Sequence, residues 1–190
     1  MIESQSLDRK IVYVGRHSQF FPAPLVSTTS GWRFDDAAGR AELNRRRIQR
    51  NESAAVESCL RLKYAEVLRR ADQAGSGQAD GPFRNDDAEE DRSVVGPAIA
   101  AAFVGEQPSG RPQSHFGYYF KIITSGNSAS PSRGTLIAWP AEYGIDGLQT
   151  FVMNNVGELY EKDLGPTTAS KVLRIGPFTP DHTWSKVEID

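Results

Sequence analysis

The chain has 190 residues, enough for one solid core or for one domain with the remnant of a second, and too few for two full domains. Its 22 Lys and Arg against 24 Asp and Glu leave a formal net charge of -2, a balance without the electrostatic footprint of a general nucleic-acid binder or of a partner for an anionic membrane surface. One cysteine, Cys59, permits no internal disulfide, and no apolar run reaches the length of a membrane span.

In chain order, 10–15 (KIVYVG) alternates aliphatic and aromatic residues as a strand does, and 23–26 and 32–34 flank the turn-rich tetrad Thr28-Thr29-Ser30-Gly31. The pattern predicts strand, strand, hairpin. Trp32 and Phe34 lie two apart, share one face of their strand, and are expected to be buried. Asp35 and Asp36 offer N-caps, and 40–74 runs without Pro or Gly, which predicts one long helix with a potential break near Asn51. At 100° per residue, Ile48, Ala55, Val56, Cys59, Leu62 and Val67 fall on one arc and Arg40, Arg46, Arg47 and Arg50 roughly opposite. Cys59, on the apolar arc with no adjacent His, reads as packing and not as a nucleophile. The basic arc reads as a solvated face, with the acidic, Gly-rich 75–92 segment as an internal counterpart or a solvated loop.

A short buried helix is expected at 94–104, then a Pro/Gly/Ser connector and four strands at 118–124, 135–139, 149–154 and 158–163. The last two meet through Asn155-Val156-Gly157, a tight connection that favours antiparallel pairing. Thr167 or Thr168 caps a short helix to about Leu173, and Phe178 and Trp184 are expected to dock on the sheet. The fold class is therefore α+β, a long amphipathic helix packed on an antiparallel sheet with a short N-terminal β-hairpin region. Two parts are expected: 1–35, strands left from a preceding domain, and 36–190, the helix-plus-sheet domain.

Several chemistries find little footing in these residues. His17, His115 and His182 lack the spacing of a metal site, and no cofactor is expected. Glu142, Asp146, Glu158, Glu161 and Asp163 ring predicted strand ends, where carboxylates ordinarily solvate an edge; a catalytic pair among them, served by His115, would make the protein a hydrolase-like enzyme. The most distinctive element is Trp139-Pro140-Ala141-Glu142-Tyr143-Gly144. Trp139 and Tyr143 either plug and cover the core, the stronger reading, or form an aromatic ledge in which Trp139, Glu142 and Tyr143 bind a ligand or partner.

A set of distributed motifs carries a family resemblance. They are Phe21-Pro22-Ala23-Pro24-Leu25-Val26, Gly31-Trp32-Arg33-Phe34-Asp35, Ala38-Gly39-Arg40, Arg46-Arg47-Ile48 with Arg50-Asn51-Glu52, Gly117-Tyr118-Tyr119-Phe120, the 138–144 run, Thr150-Phe151 with Asn154 and Gly157, and 160–166 (YEKDLGP). Together they resemble the bacterial family called domain of unknown function 2950, most of whose members are made with export signals. The resemblance implies a periplasmic or secreted protein and no known activity, substrate or cofactor. Members usually carry a preceding region and a longer, Gly-rich connection before the AWPAEYG strand, and they have Asp where Thr167 stands here. In architecture the chain also resembles the globular head of type IV pilins and pseudopilins, without their apolar membrane helix. The resulting expectation is a non-enzymatic binding or assembly module with a protein partner or self-association, no nucleic acid and no membrane span; the alternative is a hydrolase acting on an envelope polymer.

Overall fold

The computed structural model describes residues 1–76, 113–123, 134–176 and 178–188, which fall into two compact units, Met1–Gln49 and Arg50–Asp190. The helix expected at 94–104, most of the acidic 75–92 segment and most of the 125–134 connection lie outside the described residues, as does the side chain of Val67.

In the first unit, β1 (Ile2–Ser4), β2 (Arg9–Val14), β3 (Gln19–Phe20), β4 (Leu25–Thr28) and β5 (Gly31–Phe34) form an antiparallel sheet in the order β1-β2-β4-β5, with β3 beside β2. The expected hairpin is β4-β5, closed by the Thr28 hydroxyl, which donates to the carbonyl of Gly31 at 2.6 Å. The strands β1 and β3 are too short for alternation to announce them. The expected burial of Trp32 and Phe34 is corrected: they share a face, but remain 42% and 45% exposed. β5 is an outer strand, and the helix meets this sheet on the opposite face, where Arg46 lies over the Phe20 ring at 5.0 Å and Phe20 pairs with Tyr13.

The helix α1 (Asp36–Ser76) is continuous through Asn51. Asp35 caps it as expected, its carboxylate accepting from the Ala38 N–H at 3.0 Å. Gly39 lets the first turn approach the chain closely, since a Cβ there would stand 2.9 Å from that of Ala23. The basic arc is not uniformly turned to solvent. Arg40, Arg47 and Arg50 are exposed, whereas Arg46 donates to Glu42 at 2.7 Å and to the Phe20 carbonyl at 2.9 Å.

In the second unit, β6 (Tyr118–Ile123), β7 (Thr135–Pro140), β8 (Gln149–Met153), β9 (Leu159–Asp163) and β10 (Ser185–Lys186) form an antiparallel sheet in the order β10-β9-β8-β7-β6. Alternation along the strands divides the core into two layers. On one face Ala55, Cys59 and Leu62 of α1 meet Tyr118, Phe120, Leu136, Ala138, Phe151, Met153 and Leu159. On the other, Ile137, Trp139 and Val152 meet Val172 of a short helix α2 (Thr168–Val172), with Phe178 and Trp184 of the tail packed alongside. Both faces of β7 are thus covered, which is why its sequence is a continuous apolar run and all six residues are buried. The Asn155-Val156-Gly157 connection turns at Gly157 (φ +92) and is held by the Asn154 side-chain carbonyl, which accepts from the N–H groups of Val156 and Glu158. One expected cap is corrected: Thr167 occupies the N-cap of α2 without a side-chain bond, and the hydroxyl of Thr168 donates instead to the carbonyl of Gly165 at 2.6 Å.

The chain is therefore an α+β protein built from a long helix and antiparallel sheets, with a β-hairpin region at its N-terminal end.

Candidate functional site

The Trp139–Gly144 element leaves the sheet where Pro140 ends β7. The next backbone group, the N–H of Ala141, donates to the carbonyl of Gly117 at 2.8 Å, and the N–H groups of Ile145 and Asp146 fold back on the carbonyl of Glu142. Gly144 carries φ +82 and donates to the carbonyl of Gly147, so the element closes into a compact turn before β8 begins.

Its residues go to different places. Trp139 is buried to 4% exposure in the layer under α2, and its ring neighbour is Tyr119 at 6.0 Å. It cannot touch a partner directly. Tyr143 is half-buried, and its hydroxyl donates to Asp163 at 3.0 Å; that bond, then burial, raises the tyrosine pKa above its ordinary value. Glu142 is exposed. The geometry thus separates Trp139, a core residue, from Glu142 and Tyr143 at the surface.

Two residues of α1 hold this turn in place. Asn51, 4% exposed, donates from its side-chain amide to the carbonyl of Asp146 at 2.9 Å. Glu52 accepts from the N–H groups of Leu148 and Gln149 at 2.9 and 3.0 Å with one carboxylate oxygen. Below them the Tyr118 hydroxyl donates to the carbonyl of Gln149 at 2.9 Å, and burial, then the charges of Glu52, Asp146 and Glu161, raise its pKa. Gly147 must be glycine here, because a Cβ would run into the Tyr118 ring. The Arg50-Asn51-Glu52 triplet is among the motifs that carry the resemblance, but nothing in its helical context marks it as an anchor for residues almost a hundred positions away.

Beside this turn stands a second one that sequence reasoning missed. His115 and Tyr118 exchange both backbone hydrogen bonds, at 2.9 and 3.0 Å, around Phe116 and Gly117, whose φ values are +47 and +72. Positive φ at both central residues is the requirement of a type I′ turn. Glycine meets it without cost; phenylalanine does not, and a bulky residue held there stores about 1–3 kcal/mol of strain. Phe116 is nevertheless 54% exposed, with His115 edge-on at 4.7 Å as its ring neighbour among the described residues. The two turns touch: a Cβ on Gly117 would lie 2.8 Å from both Asn51 and Asp146. Ile145, 38% exposed, is on the adjoining turn.

The carboxylates considered for catalysis have separate structural partners. Glu158 is held down to about 2 by Lys186 first, with Asn154 and Tyr160 adding hydrogen bonds. Asp163 accepts from Tyr143 and from the Gly165 N–H. Glu161 is raised by burial and then by the charge of Glu52. His115 is partly buried, which lowers its pKa. Cys59 is fully buried, its thiol pushed up to about 12 by desolvation, as a packing residue would be. Among the described residues no three His, Cys, Asp or Glu side chains gather in a way that would hold a metal ion, and no helix is long and apolar enough to cross a membrane.

What the fold and these turns define is an antiparallel sheet with α1 on one face and α2 on the other and a hydrogen-bonded pair of turns at one end. The chain belongs to the family described as protein of unknown function (DUF2950), whose model matches residues 1–187. No curated protein and no solved structure matches it, so the likeness to pilin heads has no support among solved structures.

Proposed function

We propose that the second unit is a binding module that recognises a protein partner through the paired turns 115–118 and 142–147, with Phe116, Glu142, Tyr143 and Ile145 at the contact surface. The observation that carries the reading is Phe116: a large aromatic residue kept in a strained left-handed turn and more than half exposed, where the fold alone would favour Asn or Gly. Asn51 and Glu52 hold the 142–147 turn from below, and the Ala141 N–H donating to the Gly117 carbonyl ties the 115–118 turn to it, so the surface is preorganised, which lowers the cost of association. Trp139 serves from within the core. An envelope or secreted setting follows from the export signals usual in the family, and the partner is a protein of that compartment or a second copy of the chain.

The test is Phe116→Asn. This change relieves the turn and removes the ring, so the reading expects stability to stay level or rise by about 1 kcal/mol while association weakens by more than about 1 kcal/mol. Tyr143→Ala should weaken association similarly. Sedimentation velocity measures self-association, and binding to wild-type-captured envelope proteins measures a foreign partner, with circular dichroism as the folding control. Unchanged association in both variants, in both assays, would remove these turns as a binding surface.

A second reading, a hydrolase acting on an envelope polymer, draws on one observation: burial first, then the charge of nearby Glu52, raises the Glu161 carboxyl above its ordinary value, the direction a general acid needs. Release of soluble fragments from purified envelope polymer, abolished by Glu161→Gln, would favour it over the binding module.

A further inference from the structure

The four large apolar side chains that the strands of the first unit leave exposed all stand on one face of its sheet. Ile2 pairs with Val12, Lys10 with Leu25, and Leu25 with Phe34. Antiparallel partners share a face and alternate residues return to it, so Ile2, Val14, Trp32 and Phe34 look the same way, 60%, 45%, 42% and 45% exposed. No acidic residue holds a strand position on this face. Its one charge is Lys10, whose ammonium sits 4.1 Å from the centre of the Trp32 ring. Leu7, in the turn between β1 and β2, is 94% exposed.

The near-neutral total conceals how charge is divided. Residues 1–49 carry eight Lys and Arg against five Asp and Glu, and 50–190 carry fourteen against nineteen. The boundary between the two units is therefore also a boundary between a basic and an acidic part. Large apolar side chains left exposed together on one face mark an interaction surface. Lysine is depleted at the core of protein–protein interfaces. At a bilayer surface, by contrast, aromatic rings settle at headgroup level and a lysine stem lies along apolar surface with its ammonium among the phosphates.

We infer that the sheet face formed by Ile2, Val14, Trp32 and Phe34, with Lys10 at its centre, docks on an anionic lipid surface. The apolar side chains enter the headgroup boundary with the Lys10 ammonium among the phosphates, and the net positive charge of residues 1–49, most of it on the helix and on the opposite sheet face, attracts the unit at long range. This surface is separate from the paired turns of the second unit, and its test does not depend on them.

The experiment uses the full chain with vesicles of phosphatidylglycerol and phosphatidylcholine, and with phosphatidylcholine alone, read by co-sedimentation and tryptophan emission. Binding to the anionic vesicles is expected, at least about fivefold weaker on the neutral ones and weakened by salt. Trp32→Ser with Phe34→Ser, and separately Lys10→Glu, should each reduce it by about fivefold or more, while Leu173→Ser, an exposed site in the other unit, should leave it unchanged. Should the double variant fail to fold by circular dichroism, Lys10→Glu decides the matter. Equal binding to both vesicle types, no binding to either, or variants that bind like the wild type would overturn the inference. So would a wild-type dimer in sedimentation velocity that the face variants dissolve, which would assign the face to a second copy.

Discussion

Asn51 donates its side-chain amide to the carbonyl of Asp146 across 2.9 Å, and this bond links the long helix to the turn that follows the AWPAEYG run. Asn51 is 4% exposed, so the carbonyl it serves would be left without that donor inside the protein. Asn51→Ala should therefore cost about 1–3 kcal/mol in denaturant unfolding. Glu52→Gln keeps an acceptor oxygen for the N–H groups of Leu148 and Gln149 and should cost less than Glu52→Ala. If Asn51→Ala unfolds at the same denaturant concentration as the wild type, the helix is not what holds the turn.

The helix-facing layer makes a second expectation. Leu62 packs in a cluster with Phe151, Met153 and Leu159, and Leu62→Ala should cost about 2–5 kcal/mol. Cys59→Ser places a hydroxyl where burial is complete, and about 1–3 kcal/mol of stability should go with it, with partner binding untouched. Loss of binding at unchanged stability would instead assign the thiol a chemical role.

Thr150 is fully buried, and its hydroxyl has no hydrogen-bond partner among the described residues. It pairs with Lys162 across β8 and β9, so its backbone is committed to the sheet whatever the side chain does. Thr150→Val exchanges the hydroxyl for a methyl group at nearly the same volume. Relief of an unsatisfied polar group should raise stability by about 1 kcal/mol; a thermal midpoint that falls would show that the hydroxyl has a role in packing.

Glu158 sets part of the acid limb of stability. Its carboxyl stands at about 2 in the folded chain against an ordinary 4.5, chiefly through Lys186 at 2.8 Å. A carboxylate depressed by folding stabilises the native state above its unfolded pKa and loses that contribution as pH falls through the folded one. The window is therefore from about 4.5 down to about 2. Glu158→Gln should flatten the stability profile within that window and leave its shape above it unchanged. The pair is exposed, so salt should shrink the effect; an identical acid limb in the variant would show that the pair contributes nothing.

Periodicity and turn chemistry determined a good part of this protein in advance. The helix, its Asp35 cap, the four main strands of the second unit and the Gly157 turn are all local: each depends on the spacing of apolar residues or on a conformation that one residue type favours. The burial of Cys59 and the docking of Phe178 and Trp184 were legible for the same reason, because an apolar residue on a matched arc has few other places to go. Only the tertiary structure decided which surfaces stay open. Trp32 and Phe34 share a face by alternation, but whether that face is covered depends on which side of the sheet the helix takes, and alternation is blind to that choice. Trp139 and Tyr143 are four residues apart, yet one is sealed beneath α2 and the other bonds to Asp163, since Pro140 ends the strand between them. Phe116 gave no signal at all, because its conformation is imposed by the pairing of His115 with Tyr118 and runs against its own preference. The charge division is mixed: the counts on either side of Gln49 are written in the sequence, but only the fold makes that position a boundary between two units.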